Sequence, residues 1–117
     1  MSLSPLQTLQ PTVLCCGSIT STPGQGSFTV PAYNAALVTS IRIVNAHASV
    51  AATLNVSVRP SGGSARAIAK RNQNLAVGTA VVLSDYVTLG AGDKIEIDVT
   101  AGATPSVDWT LLGVVAS

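Results

Sequence analysis

The stretch KIEIDVT, Lys94 to Thr100, alternates without a break: Ile95, Ile97 and Val99 on one parity, Lys94, Glu96 and Asp98 on the other. Neighbouring side chains of an extended chain point to opposite sides, so this pattern separates an apolar face from a charged one only as a β-strand. Helical winding would scatter both sets around the axis. The period recurs in ATLNVSVR, where Leu54, Val56 and Val58 alternate with Asn55, Ser57 and Arg59. In LVTSIRIVN, Val38, Ile41 and Ile43 interleave with Thr39, Arg42 and Asn45, most clearly from Ser40 onward.

Turn chemistry separates these strands. Pro60-Ser61-Gly62-Gly63 closes one, AGATPS precedes the last, and STPGQGS is expected to be a loop. TVLCCGSIT, SFTVPAY and VDWTLLGVV read as further strands, and NLAVGTAVVLSDYVTLG as one or two, broken at Gly78. SARAIAKRN fits either a strand or a short helical turn. Strand-length segments with no convincing long helix predict an all-β fold, an antiparallel sandwich. About eight strands suit a jelly roll. Residues 1–11, polar and carrying Pro5 and Pro11, read as an extended N-terminal arm, and 12–117 as one β-sandwich domain.

Composition agrees. Of 117 residues, 47% are hydrophobic, 9% charged and 3% aromatic, against about 25% charged in an average soluble domain. Disorder needs the reverse balance. A net charge of +1 sets up no field toward nucleic acid or an anionic membrane, and leaves little repulsion between copies. No run approaches the roughly 20 apolar residues of a membrane-spanning helix. MSLSPLQTLQP has neither a basic leader nor an apolar run, so assembly in a cytoplasm is expected. Cys15 and Cys16 are adjacent and would face opposite ways in a strand, which predicts two reduced thiols.

The residues that could carry chemistry are few. TLGAGDK holds Gly90 and Gly92 but no third glycine, and an alternating strand follows it. A dinucleotide site needs a helix there, so the glycines and Asp93 are expected to form a turn. His47 is the only histidine and sits in a loop pattern. A dyad with Cys15 or Cys16 lacks a neighbouring cation to activate the thiol. Zinc has no ligand spacing here, and Asp93, Glu96, Asp98 and Asp108 are a weak calcium set because alternation puts Glu96 and Asp98 on a solvated face. No catalytic residue, cofactor or metal is expected.

The charges are segregated. Arg59, Arg66, Lys70 and Arg71 fall in one short stretch, and the acids Asp85, Asp93, Glu96, Asp98 and Asp108 come later. Arg59, Arg66, Lys70, Arg71, Glu96 and Asp98 are the candidate interaction surface, complementary patches that set register between copies or with a partner. Each group could equally do no more than solvate its own face. Aromatics for base stacking are missing beside the basic group, so specific nucleic-acid binding is not expected. Trp109 shares its parity with Val107 and Leu111, which predicts a core or interface anchor over a sugar platform.

SIRIVN, VRPSGGSAR, LSDYVTLGAGDKIEI and VDWTLLGV together resemble small virion proteins of tailed double-stranded-DNA bacteriophages, over Ser40 to Val114. The aGD-x-I pattern is also similar to trimeric jelly rolls of the tumour-necrosis-factor and complement type. The phage resemblance implies a non-enzymatic capsid decoration protein on the outside of a shell, a homo-oligomer with a trimer favoured. Its partner would be the major capsid protein or another virion protein, and its location the virion. Alternatives are a head–tail neck or tail adaptor, and a carbohydrate-binding module presenting Trp109, Tyr33 or Tyr86.

Overall fold

The computed structural model describes residues 12–84, 86–102 and 104–116; the expected arm, residues 1–11, and Asp85 lie outside them. Ten strands run β1 (Thr12–Ile19), β2 (Gly24–Thr29), β3 (Ala35–Asn45), β4 (Ala52–Arg59), β5 (Arg66–Ala67), β6 (Gln73–Leu75), β7 (Ala80–Leu83), β8 (Val87–Leu89), β9 (Lys94–Ala101) and β10 (Val107–Ala116). All pairings are antiparallel. Sheet I has the order β1-β10-β3 followed by β7 and β8, which share the far side of β3; sheet II has β2-β9-β4 followed by β5 and β6, which share the far side of β4.

Eight strand positions therefore exist, two of them split. Early strands pair with late ones: β1 with β10, β2 with β9, β3 with β7 and β8, β4 with β5 and β6. The chain behaves as one long hairpin rolled up so that its successive early strands fall alternately in the two sheets. That is a jelly roll. The expected sandwich is the fold.

The alternation explains which faces meet. Ile95, Ile97 and Val99 of β9 and Leu54 and Val56 of β4 lie against Val38, Ile41 and Ile43 of β3 and Val107 and Leu111 of β10, each at most 2% exposed. Each such side chain contributes about 1.5–3 kcal/mol by leaving water. Val38 and Ile41 are three residues apart yet both point inward. The register shift opposite Leu112 and Gly113 accounts for this, because β3 holds one residue more than β10 there. Gly113 is required at the bulge, since a Cβ would run into the Leu37 carbonyl.

Asn45, grouped by its polarity with the outward Thr39 and Arg42, shares the parity of Ile41 and Ile43, faces inward and is fully buried. Its register partner Val107 is also inside. A buried amide is tolerated only when its hydrogen bonds are made, and here they are. Its Nδ2 donates to the carbonyls of Val50 at 3.0 Å and Leu75 at 2.9 Å, and its Oδ1 accepts the His47 N–H at 3.0 Å.

The GAGD segment is a turn. Gly92 has a φ of 84°, a left-handed conformation that suits glycine, and its N–H donates to the Val30 carbonyl at 3.0 Å. Asp93 accepts the Gly90 N–H at 2.9 Å and the Ser61 N–H at 2.8 Å, tying the β8–β9 and β4–β5 connections together. Those two donors hold its carboxyl below the usual carboxylate range. Stability from a depressed carboxyl is complete above its unfolded pKa, about 4, and is lost as pH falls through the lower folded value. Asp93→Asn is therefore expected to melt earlier at pH 7 and to show a shallower fall in melting temperature between about pH 5 and 3; an unchanged acid profile would contradict this.

Candidate interaction surfaces

The outer face of sheet II carries most of the residues that charge segregation singles out. Register places Lys94 between Thr29 and Arg59, Glu96 between Ser27 and Ser57, and Asp98 between Gln25 and Asn55. Arg59 Nε donates to Glu96 Oε2 at 3.1 Å, and Lys94 Nζ stands 3.9 Å from the same oxygen. These two cations cover Glu96, which is 4% exposed rather than solvated. A carboxylate that covered needs its partners, so this pair fixes β4 against β9 and presents little free charge.

Asp98 and Arg71 come together further along the same face. They line an open groove of about 590 Å³ with Gln25, Asn55, Ser57 and Asn72. Gln25 Nε2 donates to Asp98 at 2.7 Å. Asn72, at a φ of 53°, donates its N–H to Asn55 Oδ1 at 2.8 Å and so builds the groove wall. The lining is balanced in charge and rich in amides, suited to hydrogen bonding with a polar surface. Arg66 does not join them. It pairs with Val58, whose side chain packs on the core, and so leaves from the opposite side of the sheet at its rim. Lys70 is exposed in the connection to β6. The six residues are thus an ion pair, a groove pair and two separate cations.

The remaining candidates are dispersed. Register sets Cys15 opposite Leu111 and Asn45 opposite Val107, four residues further along β10. Cys15 and the loop bearing His47 are therefore on the order of 13 Å apart along the strand. His47 Nδ1 accepts the Ser49 and Val50 N–H groups at 3.0 Å each, holding the loop's shape. Among the described residues no three histidine, cysteine or carboxylate groups gather as a metal site. Asp108 is on the other sheet from Glu96 and Asp98. Trp109 is a core residue at 5% exposure, whereas Tyr33 and Tyr86 are 95% and 73% exposed.

Sheet I has a different outer face. Val13, Leu37, Val44, Val82, Leu112 and Val114 share it by register. Val13 is 58% exposed and Val82 52%. The only charges there among the described residues are Arg42 and Asp108, both exposed. Neither forms an ion pair there; Asp108 accepts the Ser18 hydroxyl at 2.6 Å. Cys16 is exposed beside them, in a row that runs Val82, Arg42, Thr110, Cys16 across four strands. The sequence signal for this face is a loss of alternation. In β10 the outward parity holds Asp108 and Thr110 and then Leu112 and Val114, where in β9 it holds Lys94, Glu96 and Asp98. Only the second half of β10 is apolar on both parities, the pattern of a strand covered on both sides.

No protein-family model matches the chain, and no curated protein matches it. Among solved structures it is similar to chains in structures of infectious bursal disease virus, Gt strain and Gx strain, at 13% and 14% identity with TM-scores of 0.38 and 0.40. The matches cover 98% of this chain but 37% and 36% of those chains. Likeness at this level carries no functional argument.

Proposed function

We propose that the chain is a non-enzymatic structural protein of a bacteriophage virion, a decoration protein that binds the outside of the shell as a homo-oligomer. The observation that carries this reading is the contrast between the two outer faces. Large exposed apolar patches on soluble proteins mark contact sites, and sheet I carries Val13 and Val82 exposed beside the half-exposed Leu37, Val44, Leu112 and Val114, while the outer face of sheet II is polar and internally paired. The work of the molecule is contact. Jelly rolls serve in viral capsid and lectin domains, an argument by analogy of fold. The resemblance over Ser40 to Val114 favours the virion. Its partner is then the major capsid protein or another virion protein, bound through the polar groove and the surfaces around it.

The groove also favours a second reading, a carbohydrate-binding module that holds sugar hydroxyls by Gln25, Asn55, Asn72 and Asp98. Trp109 has no part in it, being in the core.

Co-sedimentation tests the first reading. Purified protein mixed with phage shells lacking it should pellet with them, and Asp98→Arg should stay in the supernatant while melting within about 3 °C of wild type, as a surface change does. A wild-type chain that stays in the supernatant, or one displaced from shells by simple sugars, would overturn it.

A further inference from the structure

We infer that the apolar outer face of sheet I seats the same face of a second copy, giving a two-fold dimer; this deepens the decoration reading and rests on it only for the shell partner. The face is self-complementary. It holds one cation, Arg42, and one anion, Asp108, on adjacent rows, each exposed and without an ion-pair partner among the described residues. In an isologous contact every pairing of residue i with the partner copy's residue j is repeated as j with i. A face with one charge of each sign then pairs both, whereas a face with a single sign would repel its own copy.

Among the described residues the other outer sheet face is far more polar. The outer face of sheet II carries Lys94, Glu96, Asp98, Arg59 and Asn55, with its acids already bonded to Arg59 and Gln25. The size also fits. Four strands about 4.8 Å apart and roughly eight residues long give a footprint of about 19 by 26 Å. Corrugated side chains enlarge that area toward the ~800 Å² per partner of a standard interface. The few charges of the chain, 9% with a net +1, oppose such pairing only weakly.

The dimer turns each sheet II and its groove outward, on opposite sides. One particle of two copies then presents two polar grooves, the arrangement needed to bridge neighbouring shell subunits. Cys16, exposed in the single chain, becomes covered.

Light scattering after size exclusion, under reducing conditions, tests this together with maleimide labelling of Cys16. The expected mass is twice the 11.8 kDa of the chain, with Cys16 labelling slowed at least about tenfold relative to the Val82→Asp variant, which should run as a monomer. Arg42→Asp and Asp108→Arg should each weaken dimerisation by about tenfold or more, and the double exchange should restore it. A monomeric mass with Cys16 freely labelled would overturn the inference; if that monomer still pellets with shells, the decoration reading stands without it. A monomer with Cys16 protected would show the face covered within one copy, and a trimer indifferent to both charge reversals would place self-association elsewhere. Either result overturns the two-fold contact.

Discussion

Asn45→Ala is expected to lower stability by about 2–4 kcal/mol, a fall in melting temperature of roughly 10–25 °C for a domain of this size. The residue is fully buried at the end of β3. Its amide holds three separate segments: the loop through His47 and Val50, the end of β6 at Leu75, and its own strand. Its main chain adds two more bonds, donating to Thr79 and accepting from Gly78, at 3.0 Å each. Truncation leaves the carbonyls of Val50 and Leu75 and the His47 N–H buried or half-buried without their partner. An unmet buried group costs more than the mean net value of the bond it made. Asn45→Asp should be worse than alanine at neutral pH, because it sets a carboxylate against two carbonyl oxygens. Calorimetry checks both, and a melting temperature within about 3 °C of wild type for Asn45→Ala would remove Asn45 from its place as the hub of this end of the sandwich.

The second large effect concerns the single tryptophan. Trp109 stands on β10 with its indole over Gly17 of β1 and reaching across to Gly26 of β2, where the outermost strands of the two sheets meet. A Cβ at Gly26 would fall 2.5 Å from Cε2 of the indole, and one at Gly17 3.1 Å from Cζ2. The first cannot be accommodated without moving the ring or the strand. Gly26→Ala is therefore expected to cost about 1–3 kcal/mol and Gly26→Val more, with Gly17→Ala clearly milder. Since Trp109 is the sole tryptophan, its fluorescence reports both the unfolding midpoint and the polarity around the ring. Gly26→Ala combined with Trp109→Phe, followed by circular dichroism because no tryptophan is left, should recover part of the loss, since a smaller ring relieves the overlap. Equal effects at the two glycines would contradict this packing.

How far the sequence leads depends on which physical signal each feature leaves. Strand period two is local, so β4, β9 and β10 are legible residue by residue, as is the turn at Gly90 to Asp93. The division of Asn72 to Leu89 into β6, β7 and β8 is not, since short edge strands are defined by what they pair with. β2 begins inside the expected STPGQGS loop for a related reason. Its glycines leave room for the indole of Trp109, a demand set by another sheet. Asn45 follows the inward parity of Ile41 and Ile43, and its polarity alone conceals this.

The candidate surface divides along the same line. Opposite charges in Arg59 and Glu96 are visible in the sequence, but that they meet at 3.1 Å follows from the register of β4 on β9. Arg71 and Asp98 share a groove because the connection after β5 folds over sheet II. Arg66 differs from Arg59 by an odd number of positions along a turn, and only the fold says which way it leaves. The apolar face of sheet I was available in the sequence all along, as hydrophobic residues on the outward parity of β3 and β10. Reading it required knowing that the other parity already filled the core.

The proposed place on a phage shell is open to direct test by cryo-microscopy of phage particles with the chain bound. Jelly-roll density is expected on the outside of the shell, with the face bearing Val82, Leu112 and Val114 covered by protein and the groove between Arg71 and Asp98 turned toward a shell subunit. Absence of the chain from the head, or density in which the sheet I face stands open to solvent, would contradict it.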